Sequence, residues 1–327
     1  MRALIFDGTR AALATSHPDP QPAAGEAIIR TVRAGISRTD RAICQGLLEF
    51  RGVLGHEFVG VVEALGDGAD RGLVGRRVVG SISTFCGRCD MCQAGLSPHC
   101  RHRTILGVAG RDGCLAERFA LPAANLVPVP DSVDDDHAVF AGAVAAGLQA
   151  VRQLTIEGKP YITVLGDGPL GLIMVQLMAK LNASVRVVGR RPEKLSICEK
   201  WGIKHRHVDD VGRRADQDIV VDCTGTQDGM ALAMRLVRPR GTIVLKSLVP
   251  PRRVEKTPLD LAPIVRNELN IVGSHSGPIG AAVSTLARGE VDVVSLISRR
   301  ISLDDGAALL RSGESPNGAL KVLVRVG

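Results

Sequence analysis

The chain has 327 residues and a formal net charge of +7, with 45% hydrophobic and 23% charged side chains. This length suffices for about two domains, and the composition is typical of a globular protein and excludes disordered and fibrous classes. The surplus arginines are scattered, which is typical of a basic soluble protein, and the alternative is that they attract anionic ligands such as a phosphorylated cofactor. No nucleic-acid recognition motif accompanies the charge, so we expect no nucleic acid among the partners.

Secretory and membrane signals are also missing from the sequence pattern. The first ten residues, MRALIFDGTR, carry charges and contain no long apolar run, so they do not predict a secretory signal. The longest nearly uncharged apolar stretch, at 138–151, is shorter than the roughly 20 residues that a membrane-spanning helix needs. We therefore expect a cytoplasmic protein with no membrane partner. In that compartment eight cysteines indicate metal ligands or free thiols before disulfides.

The first part of the chain is predicted to be rich in β-structure. Alternating or Val-rich runs, punctuated by Gly, predict strands at 27–32, 59–65 and 74–82. A cysteine-rich segment at 86–100 interrupts this region, and an Ala-rich segment then predicts one helix at 137–157.

The cysteine-rich segment has the pattern C-x2-C-x2-C-x7-C. Four thiolates within fifteen residues suit a closed tetrahedral zinc site, which stabilises the fold and leaves no coordination position open for chemistry. An iron–sulfur run is the alternative, but its usual last gap, C-x3-C-P, is shorter. The other four cysteines are predicted to be small buried side chains. The predicted ligands of a structural zinc are Cys86, Cys89, Cys92 and Cys100.

From Tyr161 onward, short apolar strands alternate with helices. Strands are predicted to begin at 161, 184, 218 and 241, and the helices between them include 192–201 and 228–237. This alternation predicts an α/β fold with a doubly wound parallel sheet. From about residue 268 the pattern returns to short strands and one or two helices.

A glycine-rich motif follows the first of these strands and opens a helix. The segment Gly166-Asp-Gly168-Pro169-Leu170-Gly171 fits G-x-G-x-x-G in the context that a dinucleotide site requires. The first glycine allows a tight turn, the second lets the backbone approach a pyrophosphate, and the third permits close helix–strand packing. The helix N-terminus then offers unpaired N–H groups to the phosphates. The alternative is a glycine-rich turn without a ligand.

The second strand of this region ends in Gly189, Arg190 and Arg191. An NAD site places Asp or Glu near this point to accept the ribose hydroxyls. Here the position is Gly, and a guanidinium matches a 2′-phosphate. The pattern therefore predicts a cofactor that is NADP or NAD, with a preference for NADP(H). The alternative is that both arginines are the solvated start of a helix.

These motifs together resemble the medium-chain dehydrogenase/reductase superfamily, specifically its zinc-containing alcohol, polyol and threonine dehydrogenase branch. The resemblance extends over nearly the whole chain. The matching segments are Gly35–Asp40 (GISRTD, against G-I-C-G-T-D), Gly55–Gly60 (GHEFVG, against G-H-E-x-x-G), the cysteine segment, the glycine motif, Val221–Gly225 and Arg240–Leu245.

The resemblance implies an organisation and a set of partners. It implies a GroES-like β-barrel catalytic domain at 1–135 with the zinc lobe at 86–100, a Rossmann NAD(P)-binding domain at 136–267, and a return to the catalytic domain at 268–327. The substrate would be a small-molecule alcohol or carbonyl compound. The assembly would be a homodimer or homotetramer built through the nucleotide domain.

The sequence departs from this family at the catalytic zinc. His56 matches the histidine ligand, but Ser37 stands where the first Cys is expected, and a neutral hydroxyl is a poor zinc ligand. The third ligand is a Glu in the family, and the matching position is Gly142. We therefore predict no tightly bound catalytic zinc. Cys44 as a substitute ligand is the alternative. His56 itself would then be either a catalytic residue or a buried, hydrogen-bonded histidine that supports the fold.

Other residues of the implied catalytic site are present. Glu57 and Asp40 match the acids that orient the site. Thr39 matches the hydroxyl that passes the substrate proton, and Arg38 matches a group placed to meet the pyrophosphate. The family's more distant relay histidine is absent, since its position falls near Ala42.

The implied function is hydride transfer between a nicotinamide and an alcohol or carbonyl carbon. Without zinc, the electrophile would be a hydrogen-bond donor among Ser37, Thr39 and His56. Two alternatives remain open. One is a nucleotide-binding homologue with impaired catalysis and a sensory or structural role. The other is an ordinary alcohol dehydrogenase that binds its metal through unexpected ligands.

Overall fold

The computed structural model describes residues 1–212, 214–247, 259–313 and 318–326. The chain divides into two compact units, one formed by Met1–Gly142 with Ile279–Gly327 and the other by Ala143–Pro278. No helix within the described ranges is long and apolar enough to cross a lipid bilayer.

The first unit is built mostly of short strands. Its N-terminal strands are β1 Ala3–Phe6, β2 Ala11–Ala14, β3 Glu26–Ile36, β4 Gly52–Val53, β5 Glu57–Leu65, β6 Arg77–Gly80, β7 Ser83–Thr84, β8 Thr104–Leu106, β9 Gly110–Arg111, β10 Arg118–Pro122 and β11 Leu126–Pro128. Its N-terminal helices are α1 Arg38–Cys44, α2 Asp90–Gln93 and α3 Asp135–Ala138, and α4 Ala141–Arg152 leads into the second unit.

The second unit alternates strands with helices, as the sequence predicts. Its strands are β12 Tyr161–Leu165, β13 Ser184–Gly189, β14 Lys204–His207, β15 Gln217–Asp222, β16 Val237–Leu245 and β17 Asn270–Gly273, and its further helices are α5 Pro169–Ala179, α6 Pro192–Leu195, α7 Gln227–Leu236 and α8 Ala262–Arg266. The chain then returns to the first unit with α9 Ile279–Ala287, β18 Ile297–Ser302, α10 Leu303–Ser312 and β19 Lys321–Arg325.

A seven-stranded sheet forms the frame of the first unit. Its order is β11-β6-β5-β3-β19-β18, and β10 pairs with the beginning of β3. In this register Gly35 on β3 lies opposite Glu57 on β5, and Ile36 lies opposite Val322 on β19. The end of β3 therefore meets the starts of β5 and β19, so that residues distant in sequence converge there. The sheet packs on a core that includes Leu4, Ile29, Leu54, Leu121 and Val324.

The second unit is one six-stranded sheet in the order β14-β13-β12-β15-β16-β17, with every neighbouring pair parallel. Numbered within the unit, this order is 3-2-1-4-5-6, the order of a doubly wound dinucleotide-binding sheet. The prediction of a doubly wound parallel sheet is confirmed. The order reverses between β12 and β15, so a ligand crevice is expected beyond the carboxyl ends of these strands.

Two predicted helices differ from the observed elements. The single helix predicted at 137–157 is wrong, because α3 and α4 are separate and α4 ends at Arg152. The first begins where the Asp134 side chain accepts a hydrogen bond from the His137 N–H, and Gly158, at φ 62°, lies within the loop after α4. The helix predicted at 192–201 is α6 followed by a 3₁₀ segment, Ser196–Trp201.

Candidate functional site

The four cysteines of the zinc lobe converge on one point. Their sulfur atoms all lie within 4.8 Å of one another. The Sγ–Sγ distances are 3.6 Å for Cys89–Cys92, 3.8 Å for Cys89–Cys100 and 3.6 Å for Cys86–Cys100. Ligands about 2.3 Å from a tetrahedral zinc lie about 3.8 Å apart, so the cluster fits this ion.

The ionisation of these thiols also fits a dication. Hydrogen bonds from the N–H groups of Arg101 and Cys92 lower the pKa of Cys89 to about 6. Loss of hydration and the neighbouring thiols raise the pKa of Cys92 to about 12. Cys89 and Cys92 therefore differ in how readily they ionise, and a bound positive ion would stabilise both as thiolates.

The glycine-rich turn has the geometry of a phosphate-binding loop. Gly166 takes φ 116°, which favours glycine, and a Cβ at Gly171 would lie 2.0 Å from the carbonyl oxygen of Gly166. Pro169 and Leu170 form the first turn of α5, behind Gly168 at the N-cap. That cap has no side-chain hydrogen bond, and a Cβ at Gly168 would meet nothing within 4 Å. The helix N-terminus thus presents its N–H groups to open space, as a pyrophosphate requires.

A carboxylate lies at the end of β13, where the sequence shows Gly189. It belongs to Asp167 of the glycine-rich turn, whose Oδ2 accepts hydrogen bonds from the N–H groups of Arg190 (2.7 Å) and Arg191 (2.8 Å). The Arg190 guanidinium is exposed and lies 3.5 Å from Asp228. Arg191 is exposed at the N-cap of α6. The sequence pattern does not mark Asp167 as a site residue, although it stands inside the motif.

Ser37 and Asp40 lie together where β3 passes into α1. The Ser37 side chain accepts a hydrogen bond from the Asp40 N–H, and Asp40 Oδ2 accepts one from the Ser37 N–H at 2.7 Å. Asp40 is fully buried, and its Oδ1 accepts a third bond from the Gly55 N–H at 3.1 Å. The buried carboxylate therefore ties the start of α1 to the turn that precedes β5.

His56 completes this cluster. Its Nδ1 is buried 3.7 Å from Asp40 Oδ1, which is ion-pair distance but too long for a hydrogen bond. Burial alone would lower the pKa of His56, but the Asp40 carboxylate raises it above the ordinary value. Burial raises the pKa of Asp40, and His56 with the Ser37 hydrogen bonds brings it below the ordinary value. The pair is thus suited to an imidazolium beside a carboxylate.

Glu57, the next residue, points to a different partner. Lys321 Nζ, at the start of β19, donates to Glu57 Oε1 at 2.8 Å and Oε2 at 2.6 Å. The lysine is 5% exposed, and its ammonium lies 6.0 Å from the centroid of the Phe140 ring. The predicted orienting acid therefore has its own counter-ion, and no sequence motif indicates this pairing with Lys321.

The remaining predicted positions are only partly brought together. Thr39 is half-buried and Arg38 is exposed, both in the first turn of α1. Gly142 is exposed, and a Cβ there would meet nothing within 4 Å. Burial raises the pKa of Cys44, the alternative ligand, to about 11, which disfavours the thiolate that zinc needs.

The ligand set around His56 therefore does not fit a tightly held zinc. Ser37 uses its hydroxyl to cap α1, and Gly142 has no side chain to offer. Within the described ranges, the four cysteines of the lobe are the one group of three or more His, Cys, Asp or Glu ligands that converges.

One further buried charge lies at the carboxyl edge of the parallel sheet. Lys246 follows β16 and donates to Ser274 Oγ at 3.2 Å and to the carbonyl oxygen of His275, after β17. Burial lowers the pKa of this lysine to about 8. The sequence signal was a lysine that directly follows the apolar run GTIVL.

Two domain families match the sequence. The family described as alcohol dehydrogenase GroES-like domain matches residues 23–131, and the family described as zinc-binding dehydrogenase matches residues 169–288. The first match spans strands β3 to β11, and the second begins at α5, directly after the glycine-rich turn. Both halves of the fold-class prediction, a Rossmann sheet and a GroES-like domain, are thereby confirmed.

Known proteins resemble the chain over its whole length. An L-threonine 3-dehydrogenase from Rhizobium rhizogenes is 26% identical, with 96% of each chain covered. A Sinorhizobium meliloti protein described as a zinc-binding dehydrogenase and bound to NADP is 28% identical, with a TM-score of 0.88 over 99% of this chain and 98% of that one. The alcohol dehydrogenase TADH from Thermus sp. ATN1 is 26% identical, with a TM-score of 0.86 over 100% of both.

Proposed function

The chain belongs to the medium-chain dehydrogenase/reductase superfamily, and from this premise we propose that it is an NAD(P)-dependent oxidoreductase that works without a catalytic zinc. It transfers a hydride between the nicotinamide and a carbonyl or alcohol carbon of a small molecule. A bound nicotinamide would supply or accept the hydride at ring carbon C4. The chain's own residues must then handle the charge on the substrate oxygen.

The observation that carries the proposal is the buried pair of His56 and Asp40. When a hydride adds to a carbonyl carbon, the π electron pair moves to the oxygen, and a donor must supply a proton. The His56 imidazolium, held by Asp40 at 3.7 Å, is the donor that this cluster favours. The hydroxyls of Ser37 and Thr39, at the start of α1, are further candidate donors.

The incomplete ligand set around His56 limits the substrate class. A metal would contribute several kcal/mol of stabilisation to the developing alkoxide. A hydrogen-bond donor that replaces it favours easier reductions, such as those of activated ketones or conjugated double bonds. Glu57 transfers no proton to the substrate in this scheme, because both of its carboxylate oxygens accept hydrogen bonds from Lys321.

The deciding experiment measures zinc content and turnover on the same preparation. We expect about one zinc per chain, held by the cysteine lobe, together with reduction of activated carbonyl compounds by NADH or NADPH. Two zinc ions per chain would contradict the loss of the catalytic metal. Cofactor binding without turnover across alcohols, polyols, aldehydes and activated ketones would favour the nucleotide-binding alternative.

Variants connect the activity to the cluster. H56Q should reduce turnover at least tenfold, as expected for the loss of a general acid, with little change in cofactor affinity. A matched control is H17Q, because His17 lies 3.7 Å from Asp112 in the same unit, the distance seen for His56 and Asp40. Equal losses in both variants would indicate a structural effect rather than a catalytic one.

Restoring the metal ligands tests the hypothesis that Ser37 and Gly142 occupy the positions of two lost zinc ligands. The double variant S37C/G142E should take up a second zinc, because it rebuilds a Cys, His and Glu set with room for the new side chain at 142. Uptake of a second zinc by the unaltered chain, and no further uptake by the variant, would contradict the proposal.

Oligomeric state and location stay predictions. β17 is an edge strand of the parallel sheet, and Ile271 on it is 38% exposed. Among the described residues no strand pairs with its outer edge, which favours pairing with a second copy, as in a homodimer or homotetramer built through the nucleotide domain. Light scattering of wild type and of I271K, which places a charge on that edge, would test this. A cytoplasmic location follows only from the sequence pattern.

A further inference from the structure

Position 189 and position 167 compete for one volume. A Cβ at Gly189 would lie 2.6 Å from Asp167 Cβ and 2.7 Å from Asp167 Oδ2. An acidic side chain at the end of β13 and an acidic side chain in the glycine-rich turn are therefore mutually exclusive. In this chain the carboxylate is at position 167, and position 189 is glycine.

The hydrogen bonds of Asp167 hold the carboxylate in a defined orientation. Oδ2 accepts from two successive N–H groups, those of Arg190 and Arg191. Two successive N–H groups form a concavity suited to an anion, and here the chain's own carboxylate occupies it. Oδ1 makes no protein hydrogen bond within the described part of the chain. One acceptor oxygen is thus available at the end of β13, where the adenosine ribose lies in a doubly wound sheet.

The two arginines at the end of β13 have fewer contacts than the Asp167 carboxylate. The Arg190 side chain is 69% exposed, and its guanidinium lies 3.5 Å from the carboxylate of Asp228. Arg191 is exposed as well. On the neighbouring strand, His207 Nε2 lies at hydrogen-bond distance, 2.9 Å, from the carbonyl oxygen of Arg190. A 2′-phosphate would find two exposed guanidinium groups, but it would also meet the Asp167 carboxylate, which already accepts from the two backbone N–H groups.

We propose that Asp167 supplies the ribose-binding carboxylate that Gly189 lacks and thereby determines how the protein discriminates between NAD(H) and NADP(H). Its free oxygen accepts a hydrogen bond from the ribose 2′-hydroxyl and repels a 2′-phosphate, so it offsets the two arginines. The proposal rests on the dinucleotide binding assigned above, and it does not depend on turnover.

The test measures the dissociation constants of NADH and NADPH by ligand fluorescence on the intact protein. D167N keeps the size of the side chain and removes its charge. We expect the ratio Kd(NADPH)/Kd(NADH) to fall about tenfold or more, the effect of one hydrogen bond to a charged group. The control is E193Q, which removes an exposed negative charge in the first turn of α6 and should leave the ratio within about twofold, as expected for an exposed charge.

An exchange variant separates this role from simple support of the turn. D167G/G189D moves the carboxylate to the usual place, which the glycine at 167 opens, and should return the ratio to within about threefold of wild type. A D167N variant that weakens both cofactors equally, or leaves the ratio unchanged, would overturn the proposal. Binding of both dinucleotides without any turnover would refute the proposed enzyme function and leave this inference intact.

Discussion

Glu57 and Lys321 form an ion pair whose side chains are only 13% and 6% exposed. A charge at such a depth is stable only while its partner is present, because the unpaired ion keeps the full cost of lost hydration. The pair joins the start of β5 to the start of β19, which are separated by more than 260 residues in sequence.

This pairing predicts an asymmetry among stability variants. E57Q and K321M should each lower the free energy of unfolding by about 3 kcal/mol or more. The double variant E57Q/K321M should lose clearly less than the sum of the two, since neither charge remains unpaired. Urea unfolding of the four proteins gives the coupling energy. Strictly additive losses would show that the two side chains do not depend on each other.

Lys246 predicts a dependence of stability on pH with a definite sign. Burial lowers its pKa to about 8 from 10.5, so the unfolded chain binds more protons between these two values. Lys246 therefore lowers the free energy of unfolding most at pH values below 8. This destabilisation decreases as the pH rises toward 10.5. The melting temperature of wild type relative to K246M should rise from pH 7 to pH 10. A constant or falling difference would contradict the assignment.

Some site residues could be predicted from the sequence because their roles are local. The four cysteines and the three glycines of the turn are recognisable from spacing alone. Asp167 and Lys321 were not, because their partners lie more than 20 and more than 260 residues away. No periodicity or motif encodes which backbone groups a side chain meets across a sheet.

At the scale of elements, two glycines of the turn between β12 and α5 have different roles. Gly171 is required for packing, and Gly168 leaves space for a ligand. A Cβ at Gly171 would clash with the Gly166 carbonyl oxygen at 2.0 Å, whereas one at Gly168 would enter open space. G171A should therefore lower both stability and dinucleotide affinity. G168A should keep the stability of wild type and lose affinity, because its methyl group stands where the pyrophosphate approaches.

Thermal unfolding and dinucleotide titration of these two variants provide the measurement. Because the substitution is the same in both, each variant is the control for the other. Normal cofactor affinity in G168A would mean that the phosphates do not approach the N-cap of α5.

The order of elements was also largely predictable, and their exact ends were not. Strand–helix alternation from Tyr161 gave the parallel sheet, because each unit must bury its apolar face on the next. The ends of α4 and α6 were misjudged because they depend on tertiary packing and on single glycines. Gly202, at φ 63°, ends the 3₁₀ segment after α6, and the sequence alone does not show that the helix tightens there.

At the scale of the whole molecule, the two units have separate cores and separate ligands. The core of the first includes Leu4 and Val324, and that of the second includes Leu165 and Ile243. Phe85, directly before the zinc lobe, and Leu96, within it, are both exposed, so the lobe contributes little apolar packing of its own. Its order should depend on the metal.

Stripping zinc and adding cofactor should therefore act on different units. A thiol-competing chelator should lower the unfolding temperature of the first unit and open the lobe at 86–100 to proteolysis. NADH or NADPH at about a hundred times its Kd should stabilise the second unit by about 2.7 kcal/mol, with or without zinc. Calorimetry combined with limited proteolysis distinguishes the two effects. Full zinc removal with no change in melting or cleavage would refute a structural role for the metal.

Ser37 caps α1 with its hydroxyl, so replacing it with a zinc ligand has a cost in stability. A sulfur at that position would give up an oxygen cap, typically worth about 1 kcal/mol, before any ion could be gained. A carboxylate at 142 would gain nothing while the serine remained. Rebuilding the metal site therefore requires both substitutions together, and the first of them costs α1 its side-chain cap.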